Sequence, residues 1–261
     1  MNGVSIIITV RNCEQYIEQC LESIIRQNFD DYEVIIFNDG SSDGTSEIIS
    51  KFSNLKNFKV ITSTPVGRGI ALNAALNYSV KEYIAILDAD DFVADKWLQK
   101  MVNILEADES IEILSCLPVY DITKVNLNIK SPLIEVINLM HGSFILKNPV
   151  NHSGVVMKKS VLVSLNGYDQ LRKSLFDYDL WIRALFAGVK ICRINEKLVY
   201  KRVHQNQSFE NKKRLSYLTG CLMIRLSLAK RFNLAYIIIA ILVFLYGLLP
   251  KNIRLIANKY L

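Results

Sequence analysis

The 261-residue sequence lacks the signs of a nucleic-acid-binding or disulfide-stabilised protein. Its formal charge is +6, but no basic run interleaved with aromatic residues occurs, so nucleic acid is not an expected partner. The five cysteines are an odd number, and no two have the C-x-x-C spacing of a zinc site. This usage favours a reducing compartment. The basic balance then indicates a phosphate-bearing ligand or an anionic membrane surface.

Both ends of the chain are informative through what they lack. The sequence enters the apolar run VSIIITV (4–10) without the basic residues and long apolar core of a secretory signal. Sixteen residues at 234–249 carry no charge, and basic residues flank them. As a helix they span about 24 Å, against a hydrocarbon core of about 30 Å. The pattern favours membrane association, with a spanning, interfacial, re-entrant, partner-binding or buried helix all left open.

Apolar runs with strand character alternate with helical patterns along the first half of the chain. Strands are predicted at 4–10, 33–37, 58–61 and 83–87, with helices between them. This alternation predicts an α/β fold with a Rossmann-like, mostly parallel sheet flanked by helices. Ligands of such sheets bind at the carboxyl ends of the strands.

Three carboxylates, Asp88, Asp90 and Asp91, follow the predicted strand at 83–87. Carboxylates this close repel one another unless a cation or several hydrogen-bond donors lie among them. Oxygen ligands of this kind suit Mg²⁺ or Mn²⁺, which commonly complete their shell with substrate phosphates. The cluster therefore predicts a divalent metal site, with a helix cap at Asp91 or Asp95 as the alternative.

Four segments in this order resemble the family 2 glycosyltransferases of the GT-A fold. They are VSIIITVRN, NDGSSDGT, GRGIALNAAL leading into EYIAILDADD, and FDYDLWIRAL. The resemblance covers roughly residues 3–210. It implies a GT-A domain at 1–210. The uncharged stretch and its basic flanks predict that residues 211–261 form a C-terminal segment of hydrophobic, membrane-associating helices. The resemblance also implies an inverting, metal-dependent enzyme of the hexosyltransferase type (EC 2.4).

The resemblance assigns the donor side of the site. Thr9 and Arg11 lie where the family holds the nucleotide base, although Pro and Tyr are usual there. Asp39 matches the aspartate that accepts a hydrogen bond from uracil. Asp88 matches the carboxylate near the ribose, and Asp90 the metal ligand.

Basic residues expected near the diphosphate follow from the same resemblance. Family members often carry an arginine where this chain has Leu72, and Arg68 is expected to replace it. The segment YKRVHQNQS resembles the family's Arg-x-His segment, which closes over the diphosphate. Arg202 would neutralise phosphate charge, and His204 would do so or complete the metal shell.

The acceptor side is expected in two later segments. Asp177 matches the family's catalytic base, which takes the proton of the acceptor hydroxyl, and Asp179 is the second candidate. The segment NHSGVVM resembles the stretch that lines the acceptor, so His152 and Ser153 are acceptor-side candidates. A structural role for His152 is an equally valid interpretation.

The sequence thus predicts transfer of a sugar, with a UDP-sugar as the expected donor, to a glycan or lipid-linked acceptor in surface-polysaccharide synthesis. The expected location is the cytoplasmic face of the membrane, and homo-oligomerisation is left open. A sugar nucleotidyltransferase is the rival enzyme, but RNCEQYIEQC is not the Gly-rich basic loop it needs. A nucleotide-sugar-binding module without chemistry is the other rival, which the presence of Asp90, Asp177 and His204 together disfavours.

Overall fold

The computed structural model describes residues 2–120, 134–203 and 214–250. The chain divides into two compact units, Met1–Leu139 with Val150–Val203, and Met140–Pro149 with His204–Leu261. The boundary expected after residue 210 lies outside the described residues and stays a prediction.

The first unit contains most of the regular elements. In chain order they are β1 (Val4–Val10), α1 (Ile17–Ile25), β2 (Tyr32–Asp39), α2 (Thr45–Ser50), β3 (Phe58–Ser63), α3 (Arg68–Asn77), β4 (Tyr83–Ile86), β5 (Phe92–Val93), α4 (Trp97–Ala107), β6 (Ile113–Val119), β7 (Val136–Asn138), β8 (Val155–Lys158), α6 (Lys159–Ser164), α7 (Phe176–Phe186) and β9 (Ile191–Tyr200). The second unit contains α5 (His141–Leu146), α8 (Arg214–Ala229) and α9 (Leu234–Leu248).

Within the described residues, the strands form one sheet in the order β3-β2-β1-β4-β8-β6-β9-β5, with β7 beside β9. The ladders from β3 through β4 are parallel, as the alternation predicts. Beyond β4 the sheet is mixed, since β8 is antiparallel to both neighbours while β6 and β9 are parallel. The predicted α/β architecture is confirmed, and the four predicted N-terminal strands are present.

Helices cover both faces of the parallel half. Ile6 and Ile8 of β1 share one buried core with residues of α1 and α4, such as Leu21 and Met101. On the other face α3 packs against β1 and β2. Strands buried on both faces have near-continuous apolar sequences, which is why the sequence alone predicted them. The carboxyl ends of the strands are left for the polar loops.

Helix α9 forms within the uncharged stretch but contains 15 residues. In the part of the chain that the structure describes, no helix combines the length and apolar character needed to cross a membrane. Apolar side chains are exposed along the helix, at Leu234, Ile238, Ile241, Leu242, Leu245 and Leu248. Since these positions recur at helical spacing, they form a continuous apolar stripe.

Gly154 lies where other side chains pack closely against the backbone. It precedes β8, has a φ of +85°, and its carbonyl accepts a 3.0 Å hydrogen bond from Trp97 Nε1. A Cβ atom added here would overlap Val199 Cγ2 and lie 3.4 Å from Cys116 Sγ. Only glycine fits both the backbone angle and the space.

We therefore expect Gly154→Ala to lower the free energy of unfolding by more than about 3 kcal/mol, through backbone strain plus overpacking. Gly188→Ala is the matched control, because Gly188 has a φ of +79° but open space around the added atom. It should cost only the strain, about 1–2 kcal/mol. Equal losses in denaturant titrations of the two variants would show that the contact with Val199 is unimportant.

Candidate active site

The candidate site lies where the parallel strands end. Thr9 is half-buried near the end of β1, and Arg11 directly after that strand is exposed. Asn12 links this end to the loop after β2, since its N–H donates to Ser41 Oγ and its Oδ1 accepts from the Ser42 N–H at 2.8 Å. The two loops proposed to hold the nucleotide base are therefore tied together.

Asp39 fixes the loop that leads to Arg68. Its Oδ1 accepts a 2.6 Å hydrogen bond from the Val66 N–H, and its Oδ2 accepts a 3.1 Å bond from the Gly67 N–H. Gly67 has a φ of +96°, and α3 begins at the next residue. The carboxylate retains further lone pairs for a ligand donor. Asp39 thereby sets where Arg68 stands.

Asp88 has basic side chains on several sides. It forms an ion pair with Arg68, its Oδ1 lies 3.6 Å from His152 Nδ1, and its Oδ2 lies 4.0 Å from Lys201 Nζ. Burial opposes ionisation of Asp88, but Arg68, His152 and Lys201 outweigh it and hold the pKa of this carboxyl far below its usual range. The protein itself therefore compensates this negative charge.

Asp88, Asp90 and Asp91 each present a carboxylate oxygen, and these atoms lie within 4.8 Å of one another. Asp90 is half-buried. Asp91 is buried; its Oδ1 accepts from the Arg202 N–H, whereas its Oδ2 has no hydrogen-bond partner. Burial and the neighbouring Asp88 raise the pKa of Asp91 to about 7. A buried oxygen without a partner, next to two other carboxylates, fits a hard divalent cation.

The alternative of a helix cap is wrong for Asp91. Helix α4 begins at Trp97, the residue before it is Lys96, and no side chain caps this end. Asp91 belongs to the acidic cluster, although the family resemblance assigned roles only to Asp88 and Asp90. Its place directly beside Asp90 was the available signal.

Lys201 and Arg202, directly after β9, contact residues of the acidic cluster. The buried Arg202 guanidinium donates to the Asp90 carbonyl and to the Gln19 side chain, and it lies 4.9 Å from the centroid of the Phe92 ring. Lys201, which sequence reasoning missed although it precedes Arg202, lies near Asp88. His204 lies outside the described residues, so its expected role stays a prediction.

Asp177 lies in the first turn of α7, after Leu175, whose φ is +59°. The neighbouring Phe176 ring centroid lies 5.3 Å from the centre of the Arg68 guanidinium. Partial loss of hydration lowers the pKa of Arg68, but the carboxylates of Asp88, Asp90 and Asp177 outweigh it and raise the pKa above its usual value. The expected base therefore acts electrostatically on the same arginine as the acidic cluster.

Asp179 is held by two arginines. Its oxygens pair with Arg172 Nη2 at 2.9 Å and with Arg183 Nε at 2.8 Å. Arg183 also donates to the carbonyls of Leu165 and Gly167. These contacts join α7 to the loop before it, a structural use of the carboxylate.

His152 and Ser153, expected on the acceptor side, both contact Asp88. The Asp88 N–H donates to Ser153 Oγ at 3.2 Å, and the buried His152 ring faces the Asp88 carboxylate. The structure thus groups these two residues with the predicted donor side, together with Arg68.

Comparisons with known proteins support a glycosyltransferase. A family model described as "Glycosyl transferase family 2" matches residues 5–154. An uncharacterized glycosyltransferase of Haemophilus influenzae is 29% identical over 222 residues, which cover 78% of this chain and 67% of that protein. The Escherichia coli protein WfaP, named as a UDP-Glc:alpha-D-GlcNAc-diphosphoundecaprenol beta-1,3-glucosyltransferase, is 27% identical over 221 residues, covering 81% and 82% of the two chains.

Solved structures share the fold. Staphylococcus aureus TarS 1–349 in complex with UDP-GlcNAc has a TM-score of 0.70 at 19% identity, covering 86% of this chain and 66% of that one. The mannosyltransferase PcManGT from Pyrobaculum calidifontis, in complex with GDP-Man and Mn²⁺, has a TM-score of 0.67 at 20% identity, covering 89% and 65%. The chain therefore spans slightly less than two thirds of these structures. Because the family model covers more than half of the sequence, this chain belongs to glycosyl transferase family 2.

Proposed function

We propose that the protein is an inverting glycosyltransferase that moves a sugar from a UDP-sugar to a glycan or lipid-linked acceptor in surface-polysaccharide synthesis. The carrying observation is the cluster of Asp88, Asp90 and Asp91 at the carboxyl end of β4, with Arg68 beside it and Asp177 acting on that arginine. Family membership, the UDP-GlcNAc complex of TarS and the printed activity of WfaP support this proposal.

Asp90 and Asp91 are the residues that would hold a divalent cation, Mg²⁺ or Mn²⁺. The unpartnered Asp91 oxygen supports this assignment, and so does the Mn²⁺ in the PcManGT complex. When bound, such a cation acts as a Lewis acid toward the departing diphosphate. Metal ligation requires ionised carboxylates, so the pKa of about 7 for Asp91 implies weaker cation binding as the pH falls below neutrality.

The donor would be oriented by this chain's own side chains. Arg68 and Lys201 bring positive charge next to the acidic cluster, and their side chains are 41% and 24% exposed. They can therefore reach a diphosphate while remaining near Asp88. Asp39 retains lone pairs that can accept from the N–H of a uracil ring.

Asp177 would accept the proton of the attacking acceptor hydroxyl. Attack on the anomeric carbon as the nucleoside diphosphate leaves, in one displacement, inverts the configuration at that carbon. The transition state resembles an oxocarbenium ion, as in glycoside hydrolysis. Asp177 lies in the first turn of α7, where the helix N-terminus favours a negative charge.

We also place the protein at the cytoplasmic face of a membrane, held peripherally. The exposed apolar stripe of α9 supports this, together with the exposed Lys230 and Arg231 just before that helix. An apolar stripe flanked by basic residues matches the interface of an anionic bilayer.

Asp90→Ala should abolish the Mn²⁺-dependent part of UDP binding. Loss of a residue that only orients a metal ligand costs 10–100-fold in affinity, so loss of a ligand should exceed about 100-fold. Calorimetry with and without Mn²⁺ measures this. Asp95→Ala is the control, since Asp95 lies nearby but its side chain is 72% exposed and pairs with Arg26. Equal Mn²⁺-dependent affinity in the unaltered protein and Asp90→Ala would remove Asp90 from the ligand set.

Asp177→Asn should leave UDP binding within about twofold but slow sugar transfer by about 10²–10⁴-fold, the usual contribution of a general base. UDP release from UDP-sugars, measured over a panel of acceptors, provides the readout. Asp179→Asn should instead lower stability, because Arg172 and Arg183 each lose a charged partner. Normal turnover in Asp177→Asn would assign the base to Asp179.

Extending the assay to UTP and a sugar 1-phosphate separates the rival functions. A nucleotidyltransferase would release pyrophosphate from UTP and a sugar 1-phosphate, whereas a binding module would bind UDP and release nothing.

The full chain should co-sediment with vesicles that contain anionic lipid. Glutamate at the exposed positions Leu242 and Leu245 should reduce the bound fraction by about tenfold or more, since both side chains would leave the apolar interface. Leu171→Glu, at a 92% exposed position of the first unit, should have no effect. Equal sedimentation of all three proteins, or none by the unaltered chain, would contradict the proposed membrane contact.

A further inference from the structure

His152 lies where the donor and acceptor halves of the proposed site meet. Its Nδ1 is 3.6 Å from Asp88 Oδ1. Its ring also meets the ring of Phe176, the neighbour of Asp177, edge to face with 5.7 Å between centroids. The side chain is 7% exposed. A buried ring fixed between two protein groups is suited to hold its neighbours in place rather than to contact an acceptor.

Tyr168 holds the other side of this ring. Its hydroxyl lies 3.0 Å from His152 Nε2, and the two rings meet edge to face. Burial raises the pKa of Tyr168 far above its usual value, so the hydroxyl remains a hydrogen-bond donor. A hydroxyl that donates to Nε2 leaves the proton of the neutral imidazole on Nδ1, the nitrogen that faces Asp88.

Asn73 in turn holds Tyr168. Its Nδ2 donates to the Tyr168 carbonyl at 2.7 Å, and its Oδ1 accepts from the Tyr168 N–H at 2.8 Å. Both bonds are to backbone atoms, so they fix the position of the tyrosine itself. Asn73 lies on α3, whose first residue is Arg68. One helix therefore holds Asp88 directly through Arg68 and indirectly through Asn73.

We propose that Asn73, Tyr168 and His152 form a positioning chain that orients the Asp88 carboxylate, with the Nδ1–H of His152 directed at Asp88. None of the three needs to touch the reacting atoms. This positioning chain rests on the proposed function only in the assumption that Asp88 contacts a nucleotide. Its internal geometry is independent of any ligand. An acceptor-binding role for His152 is the competing outcome.

The first test reads the imidazole tautomer directly. Nitrogen NMR of the full chain with labelled histidine, at an alkaline pH where imidazole is neutral, distinguishes Nδ1–H from Nε2–H. The sequence has three histidines, and His152→Gln identifies the relevant signals by their loss. We expect Nδ1–H in the unaltered protein and a mixture of tautomers in Tyr168→Phe, which loses only the hydroxyl. Nε2–H in the unaltered protein, or no change in Tyr168→Phe, would overturn the proposed chain.

The second test asks whether the positioning chain affects nucleotide binding. Tyr168→Phe should weaken Mn²⁺-dependent UDP binding by about three- to tenfold, the effect of one neutral hydrogen bond. Tyr83→Phe is the matched control, because Tyr83 is equally buried but lies at the amino end of β4. Unchanged UDP affinity in Tyr168→Phe would refute the positioning of Asp88. Failure of the proposed function would look different, because the unaltered protein would then bind no UDP while the tautomer result still stood.

Discussion

The compensation of the Asp88 charge is the interaction on which the site depends. A carboxylate at the end of a buried strand, next to two others, would be unfavourable without nearby positive charge. Arg68, His152 and Lys201 supply a cationic or polar partner from three different parts of the chain. Each contact therefore also brings a separate segment to the end of β4.

This compensation divides the acidic cluster into two parts. Asp88 is neutralised by the protein, whereas Asp91 is buried with one oxygen unpartnered and a pKa raised to about 7. Asp90 is fixed through its carbonyl, to which Arg202 donates, and its carboxylate is half-buried. The strand end thus carries one carboxylate that is satisfied internally and two whose chemistry suits an incoming cation.

The sequence predicted those features that depend on local patterns. The buried parallel strands are apolar runs, so β1 to β4 and the acidic cluster at their ends could be read directly. The two-residue strand β5 and the mixed pairing around β8 were beyond reach, because they depend on partners distant in sequence. The same reason hid Lys201 and the contact of Tyr168 with His152. A helix cap at Asp91 stayed open as an alternative because the sequence did not show that α4 begins six residues later.

The division of roles within the acidic cluster can be tested by anomalous diffraction from crystals grown with Mn²⁺ and UDP. One manganese peak in contact with carboxylate oxygens of Asp90 and Asp91 is expected, with Asp88 still paired to Arg68. A manganese ion held by Asp88 with Arg68 displaced, or no peak near the cluster, would contradict this division.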